Sequence, residues 1–338
     1  PGAGKTVFAE QVLCRTASED RPIVYVSTLS EPMSKMVSYV QRFSYFVAEK
    51  LGSEIQYEDI GPLLSSDGIA ALVPWLTELI KRESPKIIVI DSFRAIHDLS
   101  HSVPETRRMV SDLAGLLSSY DTTAFLLGEY TTEDIQRYPE FAVSDSIIQL
   151  ARQPLGTRDE RYLRVIKLRG SSYSEGQHAF RITENGIQLY PRLVSPRVAT
   201  MYVPQVDRTS IGVAGLDAML DGGVWAGSTT LLVGPTGSGK TTVAMHFALE
   251  GLARKEPTFY VNFQENPAQL ARSFSNLGGA QHVMRASGVA FLYVSPVELQ
   301  LDRIISAIFH LINTGTTPPV LVQSGGEPRN STSPPTPP

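Results

Sequence analysis

Two short segments of the chain have the residue types to hold phosphate. Gly234-Pro235-Thr236-Gly237-Ser238-Gly239-Lys240-Thr241, followed by Thr242, fits the pattern G-x-x-x-x-G-K-[ST]. Pro1-Gly2-Ala3-Gly4-Lys5-Thr6 carries the end of the same pattern. Such glycines let backbone N–H groups curl around phosphate oxygens at a helix N-terminus, where the dipole favours anions. The chemistry expected of them is nucleotide binding with Mg²⁺. Lys240 and Lys5 reach the β- and γ-phosphates, and Thr241 and Thr6 ligate the metal. Gly2, Gly4, Gly234, Gly237, Ser238, Gly239 and Thr242 complete the two loops.

Asp91 ends the run Lys86-Ile87-Ile88-Val89-Ile90-Asp91-Ser92. A carboxylate at the C-terminal end of a buried strand can hold a Mg²⁺ shell; the plainer use of Asp there is to cap the following turn. Hydrolysis also needs a carboxylate that orients water. Glu265 follows an apolar strand, and Glu31 stands near the matching place in the first half. Either could instead be a first-turn helix acid ahead of Pro267 or Pro32. Lys167-Leu168-Arg169-Gly170-Ser171 places Lys167 and Arg169 on one strand face. That pair is either a solvated basic face or an arginine finger for a neighbouring subunit's phosphates. The six histidines show no metal-ligand spacing, and Cys14 on the first loop's helix is expected in the core.

These residues sit in a tandem repeat. Lys5 and Lys240 are 235 positions apart, as are Pro32 and Pro267, and Ala9, Pro22 and Tyr25-Val26 match Ala244, Pro257 and Tyr260-Val261 at the same offset. The expected domains are 1–194 and 207–323, joined by a linker at 195–206 and followed by a disordered Pro/Ser/Thr-rich tail at 324–338. In the first half, strands are expected over Arg21–Thr28, Lys86–Asp91, Thr123–Gly128, Ser146–Ala151 and Tyr162–Leu168. Helices are expected over Lys5–Arg15, Pro32–Phe46, Ile69–Arg82 with an interruption at Pro74, and Pro104–Tyr120. Phe180–Thr183 and Gly186–Tyr190 should close a hairpin. In the second half, Thr229–Val233 should be the strand leading into the phosphate loop, with Val320–Ser324 matching the Asp91 strand. Alternation of short apolar strands with helices implies an α/β fold with mainly parallel sheets. By the repeat, the first domain would begin about 28 residues ahead of Pro1, and the last strand dissolves into low complexity, so the chain reads as a fragment truncated at both ends.

Composition narrows the function classes. Hydrophobic residues make up 42% and charged residues 19%, which excludes a wholly disordered chain. Thirty Lys+Arg against 34 Asp+Glu gives −4, which disfavours nucleic acid as a partner. A single cysteine excludes an internal disulfide framework and a cysteine-cluster zinc site. With no apolar run of about 20 residues and no signal-peptide pattern, the expectation is a cytoplasmic protein without a membrane partner.

Together these motifs resemble the KaiC family of RecA-like ATPases. Thr209-Ser210-Ile211-Gly212-Val213-Ala214-Gly215-Leu216-Asp217, then Gly222-Gly223 and the second phosphate loop, resemble the opening of a family domain. Phe263-Gln264-Glu265-Asn266-Pro267 looks like the family's Phe-Glu-Glu-x-Pro, with Gln264 replacing the first Glu. The resemblance implies a RecA-like P-loop fold in two tandem domains, a homo-hexameric ring with ATP at subunit interfaces, Lys167 and Arg169 acting in trans, and signalling proteins as partners. Leu29 and Ser30 occupy the first half's paired-Glu positions, leaving only Glu31 nearby. Phe141 and Ala142 stand where clock members carry a phosphoacceptor Ser/Thr pair. The leading expectation is therefore an ATP-hydrolysing signalling ATPase. The alternatives are a circadian-type Ser/Thr autokinase, a RecA/RadA-like DNA-binding ATPase, and a nucleotide-binding scaffold without turnover.

Overall fold

The computed structural model describes residues 2–28, 33–100, 102–155, 158–194, 206–277, 289–295 and 299–314. The chain divides into two compact units, Pro1–Arg192 and Leu193–Pro338. Glu31, the linker up to residue 205, Val320–Ser324 and the 324–338 tail lie outside the described residues.

The first unit is built on a parallel sheet of order β2-β1-β3-β4, formed by β1 (Ile23–Ser27), β2 (Ile55–Asp59), β3 (Ile87–Asp91) and β4 (Thr123–Leu127). Every residue of β1 is buried, as expected of a strand covered on both faces. The side chains divide by alternation. Val24, Val26, Ile88 and Ile90 pack on one face with α4 (Leu72–Glu83) and α6 (Val103–Ser119). Ile23, Tyr25 and Val89 pack on the other with α1 (Lys5–Thr16) and α2 (Met33–Val40). Cys14 lies in this second cluster, where burial pushes its thiol up to about 11.

Several sequence expectations are corrected. The Pro32–Phe46 helix ends at Val40, because the Ser44 amide and hydroxyl bond to Glu184 O and Asn185 Oδ1 instead of continuing the helix. Pro74 does not interrupt α4. It sits in the first turn, where amides have no intrahelical partner to lose. β2 and the helix α3 (Gly61–Asp67) escaped the sequence reading. α5 (Phe93–Asp98) lies between β3 and α6, and beyond β4 come α7 (Asp134–Arg137) and α8 (Pro139–Val143). Then a second, antiparallel sheet follows: β5 (Ser146–Leu155), β6 (Arg158–Leu168), β7 (His178–Thr183) and β8 (Gly186–Tyr190). Its neighbouring strands all pair antiparallel, and it forms a sheet separate from the parallel one.

The second unit carries β9 (Arg208–Thr209), α9 (Ala214–Met219), β10 (Val224–Trp225), α10 (Lys240–Ala253), β11 (Thr258–Asn262), α11 (Pro267–Asn276), β12 (Val289–Tyr293) and α12 (Leu301–Thr314). β11 and β12 pair in parallel, and β9 pairs with β10. The expected strand Thr229–Val233 is not formed: the segment is irregular, and Leu231 and Val233 are 85% and 81% exposed. A strand persists only where its N–H and C=O groups find a ladder, and among the described residues none pairs with it. No single helix among the described residues is long and apolar enough to cross a membrane.

Candidate active site

In the first unit, Gly4 caps α1 with φ 99, a left-handed conformation that glycine adopts freely, and Gly2 lies exposed just before it. The first helical turn presents Lys5 and Thr6 beside the C-terminal ends of β3 and β4. Thr6 Oγ1 donates to Asp91 Oδ2 at 3.3 Å, and Tyr25 OH from β1 donates to the same oxygen at 2.6 Å. Burial and the Asp91 charge push the Tyr25 phenol up, so it remains a donor. Hydroxyl and carboxylate oxygens at this separation are hard ligands of the kind Mg²⁺ takes, so Thr6 and Asp91 fit the metal the sequence implies. Lys5 Nζ is 3.3 Å from Glu129 Oε1, beyond the end of β4. Burial is the largest single influence and raises the Glu129 carboxyl, yet the hydrogen bond and charge of Lys5, added to weaker positive influences, together hold the group below its ordinary value.

Behind these residues lies one the sequence reading missed. Glu10, one turn along α1 from Thr6, is 1% exposed, and both its oxygens lie at hydrogen-bond distance from Tyr57 OH, at 3.0 and 2.9 Å. The repeat held a signal for it: the position 235 residues on is Met245, buried in α10. A carboxylic acid in one copy against a thioether in the other marks a polar insertion into a core.

In the second unit Gly239 caps α10 with φ 90. Lys240 Nζ donates to Gly234 O and Pro235 O, each at 2.7 Å, so the ammonium closes the loop on itself. Ser238 Oγ donates to Pro235 O at 2.8 Å, Gly237 is exposed, and Thr241 and Thr242 open the helix at exposed positions. Glu265 follows β11. Its backbone is fixed by Asn262, whose amide donates to Glu265 O at 2.6 Å, and its Oε2 is buried with no donor among the described residues. Asn266 and Gln269 form a reciprocal capping box that starts α11 immediately after it. The domain-opening segment is locked by Asp217, which accepts from Ile211 N at 2.8 Å and Ser210 Oγ at 2.7 Å. The Ile211 amide, then Ser210, hold that carboxyl below its ordinary range.

The expected shared strand face is corrected: β6 ends at Leu168 and Arg169 lies in the turn after it, yet Lys167 and Arg169 both turn to the C-terminus of α8. Lys167 Nζ donates to Phe141 O and Ala142 O at 3.1 Å each. Arg169 donates to Ala142 O at 2.9 Å and to Asp145 Oδ1 at 3.1 Å. The described residues hold no group of three or more His, Cys, Asp or Glu side chains placed for a metal.

The sequence profile of the KaiC ATPase family matches residues 1–194 and 209–299. The chain is 27% identical over 295 residues to circadian clock oscillator protein KaiC 1 of Synechocystis sp., covering 82% of this chain and 55% of that protein. It is 28% identical over 312 residues to circadian clock oscillator protein KaiC of Picosynechococcus sp., covering 87% and 58%. It is 29% identical over 288 residues to circadian clock protein KaiC2 of Synechocystis sp., covering 82% and 50%. The chain thus spans little more than half the length of the curated relatives it matches.

Proposed function

This chain belongs to the KaiC family of ATPases, and from that premise we propose that it binds ATP with Mg²⁺ at both phosphate loops and hydrolyses it within a hexameric ring, as a signalling module. The observation that carries this reading is the meeting of Lys5, Thr6 and Asp91 at the N-terminus of α1. Lys5 exchanges its Glu129 partner for the β- and γ-phosphates. Thr6 and Asp91 hold the metal, with Tyr25 fixing the Asp91 oxygen, and Thr241 takes the matching role in the second unit. When bound, Mg²⁺ neutralises charge that builds on the phosphates. Glu265 orients the attacking water in the second unit and Glu31 does so in the first. Lys167 and Arg169 swing from α8 to a neighbouring copy's ATP and stabilise the transition state there.

For the first unit the circadian-type autokinase reading is weaker, because the residues at its phosphoacceptor places, Phe141 and Ala142, carry no hydroxyl. A DNA-binding role has no basic or aromatic contact loop behind it.

The test is an ATPase assay on Arg169→Ala and Lys5→Ala, alone and co-assembled, with ring formation followed by light scattering. Arg169→Ala should keep nucleotide affinity and lose turnover. The mixture should recover activity, because some interfaces then join an intact loop to an intact finger. A mixture that yields only the sum of the separate residual rates, despite confirmed co-assembly, sinks the trans role.

A further inference from the structure

The geometry points to Glu140 as a positioning residue: through α8 it sets where Lys167 and Arg169 stand. This rests on the reading of those two cations as groups that complete a neighbour's site.

α8 is five residues long, too short to hold its own place, so side chains must fix it. Pro139 starts it and Glu140 follows. The Glu140 residue is 4% exposed, which is costly for a carboxylate unless it is bonded. Its Oε1 accepts from Tyr130 OH at 2.8 Å and lies 2.7 Å from His97 Nε2. The rest of the cage is aromatic and cationic. The Tyr138 ring lies tilted 4.4 Å from the His97 ring, Arg94 lies 4.7 Å over Tyr138 and 3.7 Å from Asp134, and Phe141 meets Tyr130 edge-on at 4.9 Å. An apolar residue here would fill space but would not fix the helix in direction, as two bonds to one oxygen do.

The other end of the same turn holds the cations. Phe141 O and Ala142 O accept from Lys167, Ala142 O and Asp145 Oδ1 accept from Arg169, and the Arg169 amide donates to Asp145 O at 2.9 Å. The anchors of Glu140 belong to the segments that carry the nucleotide groups. His97 lies on α5, which follows Asp91, and Tyr130 directly follows Glu129, the partner of Lys5. Glu140 therefore ties the resting position of the finger pair to the phosphate loop of its own subunit.

The experiment compares Glu140→Leu with Glu140→Gln in the full chain, reading ATP turnover, nucleotide affinity and amide hydrogen exchange. Glu140→Gln keeps an acceptor at Oε1 and should stay within about threefold of the parent kcat, whereas Glu140→Leu should lose about tenfold with affinity held within about twofold. Amides over 141–145 and 167–169 should exchange faster in Glu140→Leu, while β1 and β3 are unchanged. On a Lys167→Ala/Arg169→Ala background, Glu140→Leu should cost nothing further, since both groups it positions are gone. Undiminished additive loss, or unchanged exchange at Arg169, overturns the inference. Should Glu140→Leu not fold, Tyr130→Phe removes one of the two bonds and must move exchange at Arg169 in the same direction. If Arg169→Ala itself costs no turnover, the trans reading has failed. Exchange then decides the positioning role alone: faster at Arg169 upholds it, unchanged overturns it.

Discussion

Glu10 is an acid inside the core of the first unit, and its chemistry has a measurable consequence for stability. Burial, opposed by the Tyr57 hydrogen bond and reinforced by the Asp91 charge, raises its pKa from 4.5 to about 7. The folded protein therefore holds a proton that the unfolded chain has released across this window. Stability from this group is fully present below about pH 4.5 and is lost as pH rises through about 7, on the order of 3 kcal/mol in all. Glu10→Gln keeps an acceptor for Tyr57 and removes the charge. It should leave stability near pH 4.5 almost unchanged and raise it at pH 8, as read by urea denaturation at the two values. Equal gains at both would show that Glu10 is ionised in the fold throughout.

At the scale of elements, pairing decides what an apolar run becomes. Ile87–Asp91 and Thr229–Val233 are both short apolar segments beside a phosphate-site residue. The first is sandwiched between β1 and β4, and its Ile90 is fully buried. The second has no ladder among the described residues and leaves Leu231 in solvent. Ile90→Ala should therefore cost about 2–5 kcal/mol, the loss of a buried side chain plus its cavity. Leu231→Ala should fall within about 0.5 kcal/mol of the parent, as exposed substitutions do. Denaturant titration of both variants checks the contrast; a Leu231→Ala loss as large as that of Ile90→Ala would show that 229–233 is packed in solution.

At the scale of the molecule, each hydrophobic cluster among the described residues draws on one unit only. Two lie within the first unit and two within the second. The two tryptophans divide the same way: Trp75 packs against the core of the first unit, and Trp225 lies in the second with Arg208 over its ring. We expect two unfolding transitions. In Trp225→Phe, fluorescence should follow only the first unit's transition while far-ultraviolet circular dichroism still follows both. One coincident transition by both probes would mean that the units unfold as one.

Much of the candidate site was legible in the sequence because its residues stand in local motifs. The phosphate loops are contiguous motifs, Asp91 ends a contiguous apolar strand, and Lys167 and Arg169 stand two positions apart at the end of β6. The 235-residue repeat and the motif set were enough to reach the family. Contacts across the chain were decided only in three dimensions. That Tyr25 holds Asp91, that Tyr57 meets Glu10, and that Lys167 and Arg169 rest on α8 depend on residues 25 to 66 positions apart. No spacing rule encodes such distances. The fate of Thr229–Val233 was also beyond its own composition, because a strand's identity lies in its hydrogen-bond partners, and those belong to other segments.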